Sequence, residues 1–344
     1  MTVAGIVVVG ASAGGVEALR ALVGGLPTDL PAPVVVVLHI ARHAPSALPA
    51  ILDRAGPLPA VAATHGARLE AGVVYVAPAD VHVLVVDEHL HLSRGPSENG
   101  HRPAIDPLFR SAAAGFGPRA VGVVLSGTRD DGAAGLAAVA EAGGGALVQE
   151  PEEALYPGMP RSALEHVRSA SSHPADKLGA VLAELLRVAA DRSVAPVLDE
   201  RLLAETRISA MTVAPDETVA LSGATSSGLS CPSCEGVLFE LPGEPAPRFR
   251  CRVGHAWSPE SLTAEQTSGA EHALWVALRA IEEKRALLLR LAESAERSGR
   301  HGSASRHRDR AAEAERNAAS VRALIVDGVV SGPTADHADP AQSG

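Results

Sequence analysis

Short runs of β-branched residues alternate with longer Ala/Leu-rich stretches through the first 190 residues. Apolar runs of four to eight residues bounded by turn residues read as buried strands, and apolar positions at a 3.6-residue period read as helices. Strands are therefore expected over 5–9, 34–38, 73–77, 121–126 and 146–149. Helices are expected over 14–25, 104–116, 133–142 and 175–190. The runs 81–86 and 89–92 flank Asp87-Glu88 and read as a hairpin. Strands that alternate with helices predict an α/β fold, a doubly wound and mostly parallel sheet over 1–190. The pattern then changes. Residues 191–228 are rich in Asp, Glu, Ser, Thr and Pro and read as a linker, with a short helix over 198–206 and flexible Thr225-Ser226-Ser227-Gly228 chemistry. A compact cysteine module spans 229–263. Residues 264–327 read as a helical hairpin broken near Gly299, with Leu274, Leu278, Ile281, Arg285, Leu288 and Leu291 on one face. The segment 328–344 reads as a disordered tail.

Composition narrows the classes. The chain has 344 residues, 46% of them hydrophobic, so two or three cores can form. Only 2% are aromatic, which leaves Val, Leu, Ala and Ile to fill them. A net charge of -10 excludes a nucleic-acid binder with a basic face. Residues 1–6 lack the basic residues of a secretory signal, and nothing approaches the ~18 apolar residues of a spanning helix. The three cysteines lie between 231 and 251, an odd count that suits a metal site in a reducing compartment better than a disulfide framework. The expected setting is cytoplasmic, without membrane insertion.

The strongest local signal is Gly10-Ala11-Ser12-Ala13-Gly14-Gly15, between a strand and a helix. It fits the G-x-S-x-G nucleophile elbow, in which a tight turn lifts a serine hydroxyl above the sheet. A dinucleotide loop is the rival, but Ser12 stands where its second glycine would have to admit a pyrophosphate. His39 ends the second strand, and histidine is the side chain best suited to take and return a proton near neutral pH. Leu125 to Gly132 follows another buried strand and carries Asp130 and Asp131, one of which completes a triad while the other caps the next helix.

Together these segments resemble the catalytic domain of the chemotaxis protein-glutamate methylesterases. The likeness covers about residues 5–190 and includes the Ser12 loop, His39, Asp131-Gly132, Asn99-Gly100-His101-Arg102-Pro103 through Asp106, and Tyr156-Pro157-Gly158-Met159-Pro160. It implies Ser12 as nucleophile, His39 as base and Asp131 rather than Asp130 as the orienting carboxylate, with oxyanion donors at the Ala13 and Thr128 backbone N–H groups. It implies no cofactor for catalysis. The implied reaction is hydrolysis of glutamate γ-methyl esters on chemoreceptors or another methylated protein, with methanol released, and deamidation of glutamine through the same acyl-enzyme. Many members carry a receiver domain in front, and the expectation here is a form without one. The alternative is a catalytically weak or inactive interaction protein on the same fold, which the Ala13 and Thr128-Arg129 departures from the family pattern would favour.

Cys231-Pro-Ser-Cys234, then Cys251-Arg-Val-Gly-His255, has the C-x2-C and C-x3-H spacing of a tetrahedral metal site. A segment this short with few apolar residues needs such a staple, and a structural zinc ribbon with ligands Cys231, Cys234, Cys251 and His255 is expected. The remaining histidines, His82 among them, read as solvated or turn residues, with His101 the one placed to meet substrate. The Arg/Glu-rich helices at the C-terminal end offer a seam for contact with a protein partner.

Overall fold

A computed structural model of the chain describes residues 3–43, 46–190, 200–212, 223–242 and 247–327. The strands are β1 (Ile6–Ala11), β2 (Val34–Leu38), β3 (Ala60–Ala62), β4 (Val74–Val76), β5 (His82–Val86), β6 (His89–Ser93), β7 (Ala120–Val124), β8 (Gly145–Gln149) and β9 (Ser171–His173). Between them lie α1 (Gly15–Gly24), α2 (Leu48–Ala55), α3 (Ile105–Phe116), α4 (Ala133–Glu141), α5 (Gly158–His166) and α6 (Ala175–Ala190). Seven strands form one parallel sheet in the order β3-β4-β2-β1-β7-β8-β9. The expected doubly wound α/β architecture is what the chain adopts.

The valine runs explain it. Successive side chains of a strand point to opposite faces, so a strand apolar at every position can bury both. Ile6 and Val8 of β1 join one core with Val35, Leu108, Phe109, Leu136 and Met159, beneath α3, α4 and α5. Val7, Val9 and Ala11 join the other with Val34, Leu19, Leu22, Leu52 and Leu182, beneath α1, α2 and α6. β5 and β6 form the expected antiparallel hairpin, with Asp87 and Glu88 both at positive φ in its turn.

Several expectations are corrected. β3 and β9 have three residues each, too few for a periodic signal. The short helix expected over 198–206 is α7 (Glu200–Ser209), which runs three residues further and buries Ala204, Glu205, Ile208 and Ser209. Thr225-Ser226-Ser227-Gly228 is not a flexible tether but belongs to β10 (Thr225–Ser230), which pairs with β11 (Val237–Leu241). β12 (Arg248–Cys251) and β13 (Ala256–Trp257) complete a four-stranded antiparallel sheet around Cys231, Leu238, Phe249, Cys251, Trp257 and Leu262. His82, expected in solvent, is fully buried: its ring bonds the Pro96 carbonyl at 2.9 Å and accepts the Ala104 N–H at 3.2 Å. Residues 191–199, 213–222 and the tail 328–344 lie outside the described residues.

The chain divides into two compact units, Met1–Leu262 and Thr263–Gly344. In the second, α8 (Pro259–Arg297) and α9 (His301–Val326) pair through Leu278, Leu288, Ala292, Ala304, Ala311 and Ala314, with Arg322–Glu282 and Arg285–Glu315 ion pairs outside the seam. Leu291 is 42% exposed, so small alanines rather than that leucine continue the seam. No helix among the described residues is long and apolar enough to cross a membrane.

Within the first unit a buried ion-pair network ties α3, α7 and β12 together. One Arg110 nitrogen donates to both Glu98 oxygens at 2.7 Å. Ser209 Oγ donates to Glu98 at 2.7 Å, and Arg250 bonds Glu205 at 2.8 Å. Burial alone would raise the Glu98 carboxyl, but Arg110 and Arg250 outweigh it and hold it down to about 2, against an ordinary 4.5. A carboxylate depressed in the folded state contributes stability that is full above pH 4.5 and lost as pH falls toward 2. This group's share of that loss is expected to be about 3 kcal/mol. Glu98→Gln should flatten this acid limb and cost about 3–5 kcal/mol at neutral pH, because it leaves buried guanidinium charge unpaired. Urea unfolding of both proteins between pH 7 and 3 checks it.

Candidate active site

β2, β1 and β7 are neighbours, and three polar loops leave their carboxyl ends. This is where ligands bind in open α/β sheets. Ser12 follows β1, His39 follows β2, and Asp131 lies in the loop after β7. Ser12 Oγ stands 3.2 Å from His39 Nδ1, and His39 Nε2 stands 2.8 Å from Asp131 Oδ2. The structure thus brings together three side chains that the sequence separates by up to 119 positions.

The turn at Ser12 is tight by construction. Its N–H donates to Ser126 O at 2.9 Å and its carbonyl accepts the Gly15 N–H at 2.9 Å. Gly14 has φ 68, a conformation L side chains disfavour, and a Cβ there would lie 2.8 Å from Ser126 Oγ. Gly127 is needed for close approach instead: a Cβ would fall 2.1 Å from Met159 Sδ and 2.9 Å from Ser12 Cβ. Ser126 braces the turn by donating its hydroxyl to Ala13 O at 2.8 Å, while its N–H donates to Gln149 Oε1 at 2.8 Å. The Ala13 and Thr128 N–H groups make no hydrogen bond among the described residues.

Asp131 is 2% exposed and receives N–H donors from several sides. Ile105 N–H donates to Oδ2 at 2.7 Å, and Asn99 Nδ2 donates to Oδ1 at 2.9 Å. Burial pushes this carboxyl up, but the His39 hydrogen bond and charge, His101 and the Ile105 N–H together hold it well below its usual range. Asp106 beside it moves the other way. Burial and the Asp131 charge push it up to about 7, although Gly132 and Gly135 N–H groups point at its Oδ1. Among the described residues Asp130 makes no hydrogen bond to His39; its Oδ1 accepts the Ser258 and Ser261 hydroxyls at 2.7 Å each.

His101 stacks on His39, with ring centroids 3.7 Å apart and planes 11° from parallel. Asn99 at φ 51 and Gly100 at φ 80 turn the chain to bring it there. The Asn-Gly pair is a turn signal in the sequence. Nothing local marks Asn99 as a partner of Asp131, or Ser126 and Gln149 as braces. Arg129 also has a left-handed backbone, at φ 62, and is half-buried.

A second cluster lies in the cysteine module. The ligand atoms of Cys231, Cys234, Cys251 and His255 all lie within 4.8 Å of one another. The Cys234 and Cys251 sulfurs are 3.7 Å apart, and Cys251 Sγ is 3.5 Å from His255 Nδ1. A tetrahedral zinc with bonds of about 2.3 Å would set its sulfurs about 3.8 Å apart, so the donor set fits such an ion. Trp257 Nε1–H points at Cys231 Sγ, 3.4 Å away, as an outer partner to that thiolate.

Comparison with known proteins agrees with this geometry. The family model for CheB methylesterase matches residues 7–182. A protein-glutamate methylesterase/protein-glutamine glutaminase from Anaeromyxobacter dehalogenans is 40% identical over 182 residues, 53% of this chain and 53% of that protein. One from Methanosarcina mazei is 32% identical over 194 residues, 54% of this chain and 53% of its own length. The chain thus spans about half the length of the curated relatives it matches. The crystal structure of the Thermotoga maritima CheB methylesterase catalytic domain superposes with a TM-score of 0.51 at 32% identity, covering 53% of this chain and 98% of that one.

His101 supplies a direct test of the site's electrostatics. Burial, and then the neighbouring His39, lower it from 6.5 to about 4. The unfolded chain therefore binds more protons than the folded one between those values, and this group's contribution to stability is lost as pH falls through that window. The His101 ring should stay neutral at pH 5.5 and titrate near 4, as read from its NMR shifts. A ring that is charged at pH 6 would contradict this packing.

Proposed function

Because the chain belongs to the CheB methylesterase family, we propose that it is a serine hydrolase that demethylates glutamate γ-methyl esters. The observation that carries this reading is the unbroken line of hydrogen-bonding atoms from Ser12 Oγ through His39 to Asp131 at the carboxyl ends of three adjacent strands.

Each group's role follows from its surroundings. Asp131, ionised and accepting from Nε2–H, selects the tautomer in which His39 Nδ1 carries the lone pair. That lone pair faces Ser12. As Ser12 Oγ bonds to the ester carbonyl carbon, its proton passes to Nδ1. The carbonyl oxygen becomes an oxyanion, and the Ala13 and Thr128 N–H groups are its donors in this reading. Collapse breaks the carbon–methoxy bond, and the Nδ1 proton leaves on methanol. Water then attacks the acyl-enzyme, giving one proton to Nδ1 that returns to Ser12 Oγ as the glutamate side chain departs as a carboxylic acid, which releases its remaining proton to solvent. The same acyl-enzyme would form from a glutamine side chain with ammonia as the leaving group. A metal has no part in these steps.

Methylated chemoreceptors, or another methylated protein, are the substrates this reading assigns, and the cytoplasm is the compartment. The half-buried Arg129, two residues before Asp131, adds a positive charge near the site. The Cys₃His cluster is read as a structural zinc site, since four protein ligands leave no open position for chemistry.

Methanol release from methylated receptor fragments tests the esterase. Wild type should turn over, Ser12→Ala should fall to background, and Asp131→Asn should lose about 10⁴ in kcat. Equal turnover by wild type and Ser12→Ala would reject the assignment. Metal analysis tests the module separately: one zinc per chain is expected in wild type and none in Cys251→Ser.

A further inference from the structure

The sequence presents the cysteine module as an appendage, but the structure sets it against the back of the candidate triad. Ser258, which follows β13, donates its N–H to Asn99 Oδ1 at 2.9 Å. Asn99 N–H donates in turn to Ala256 O at 2.8 Å, and Glu98 forms a parallel bridge with Ala256. The hydroxyls of Ser258 and Ser261 converge on Asp130 Oδ1. Asn99, Asp130 and Ser261 are all buried.

These bonds decide which way an amide faces. An Asn side chain has one accepting end and one donating end. With Oδ1 taken by the Ser258 N–H, Nδ2 must point the other way, and there it meets Asp131 Oδ1 at 2.9 Å and Asp106 Oδ2 at 3.2 Å. The reversed amide would set a carbonyl oxygen against the ionised Asp131. The Ser258 N–H therefore holds a donor on the carboxylate that orients His39. The path back to the metal cluster is short. Ser258 is three residues beyond His255 and adjoins Trp257, whose indole N–H points at Cys231 Sγ. Among the described residues the module's buried apolar cluster has six members, a small core of the kind that a metal held by its ligands would complete.

We propose that the Cys₃His module is a positioning element of the esterase site. Ser258, acting through Asn99, and Ser258 with Ser261, acting through Asp130, fix Asp131 for His39, so that metal occupancy in the module sets turnover at Ser12. This rests on the esterase reading above. Asn99 and Ser258 touch no reacting atom; they act through Asp131.

The test uses the full chain, as wild type and Asn99→Ala, each zinc-loaded and stripped by chelation. Readouts are zinc content, far-ultraviolet circular dichroism, the rate at which a fluorophosphonate labels Ser12, and kcat and KM on 4-nitrophenyl acetate. Stripping the wild type should slow labelling and kcat by about 10- to 100-fold, with KM held within about twofold, and zinc should restore both. Zinc-loaded Asn99→Ala should show a similar loss. Stripping Asn99→Ala should then cost less than about threefold more, because both changes cut one link. The inference is overturned if stripped wild type keeps its α/β signal and labels at the loaded rate. It is overturned equally by Asn99→Ala that holds zinc and keeps wild-type kcat, or by losses that multiply independently. Should Asn99→Ala fail to fold, stripping and zinc restoration of the wild type decide. Should stripping melt the α/β domain, zinc-loaded Asn99→Ala decides. Wild type that never takes up the fluorophosphonate, loaded or stripped, removes the esterase reading itself, a result distinct from labelling that ignores the metal.

Discussion

A carboxylate that is 2% exposed can stay charged only if donors replace the water it has lost, and Asp131 is held this way. His39 Nε2, the Ile105 N–H and Asn99 Nδ2 reach it from two stretches of chain, the end of β2 and the segment that leads into α3. Each donor fixes a different neighbour. His39 is placed for Ser12, Ile105 starts α3 against the loop, and Asn99 reaches toward the cysteine module. The requirement that one buried charge be satisfied thereby determines how the β2 loop, the α3 start and the β7 loop meet.

The same logic operates a few ångströms away, where charge is not satisfied from the backbone. Glu98 and Glu205 are buried against Arg110, Arg248 and Arg250, so opposite charges hold α3, α7 and β12 together alongside apolar packing such as that of Leu202. Such pairs give little net stability over a well-packed apolar contact, but they tolerate no partial assembly. A lone buried guanidinium or carboxylate costs far more than the pair returns. Among the described residues Arg110 Nε and Nη1 have no hydrogen-bond partner, and Nε keeps only the longer ion-pair contact with Glu205 at 3.9 Å. Asn99 adjoins Glu98 in the chain, so the network that docks the module also fixes the base of the loop that carries His101.

What the sequence reveals follows from the kind of surface each element buries. β1, β2 and β7 are legible because both faces are apolar and valine fills them. Ser12, His39 and the Asp130-Asp131 pair are legible as polar groups at the ends of those runs, and their convergence in space follows from adjacency of the strands. α7 is legible as a short helix, but the burial of Glu205 and Ser209 beside Ala204 and Ile208 is not, because a hydrophobic period cannot show a carboxylate and a hydroxyl turned inward. β10 is hidden for a related reason: its Thr, Ser and Gly residues are mostly exposed, and its pairing with β11 is a matter of backbone. The Ser258–Asn99 bond joins positions 159 apart, and no local pattern encodes it. His82 misleads because a neutral imidazole bonded at both nitrogens is at ease in a core that composition alone would deny it.

The central position of β1 has a consequence for the order in which the chain can be made. One edge of β1 pairs with β2, which follows closely, but the other waits for β7, where Ile6 meets Ala120 more than a hundred residues later. At ribosomal speeds of 5–20 residues per second, that edge stays open for roughly 6 to 20 s. Over that time a nascent chain presents an unpaired, valine-rich strand, the kind of surface that recruits other strands. A chaperone that shields β1 and β2 during translation would serve this protein more than one that acts on the finished chain.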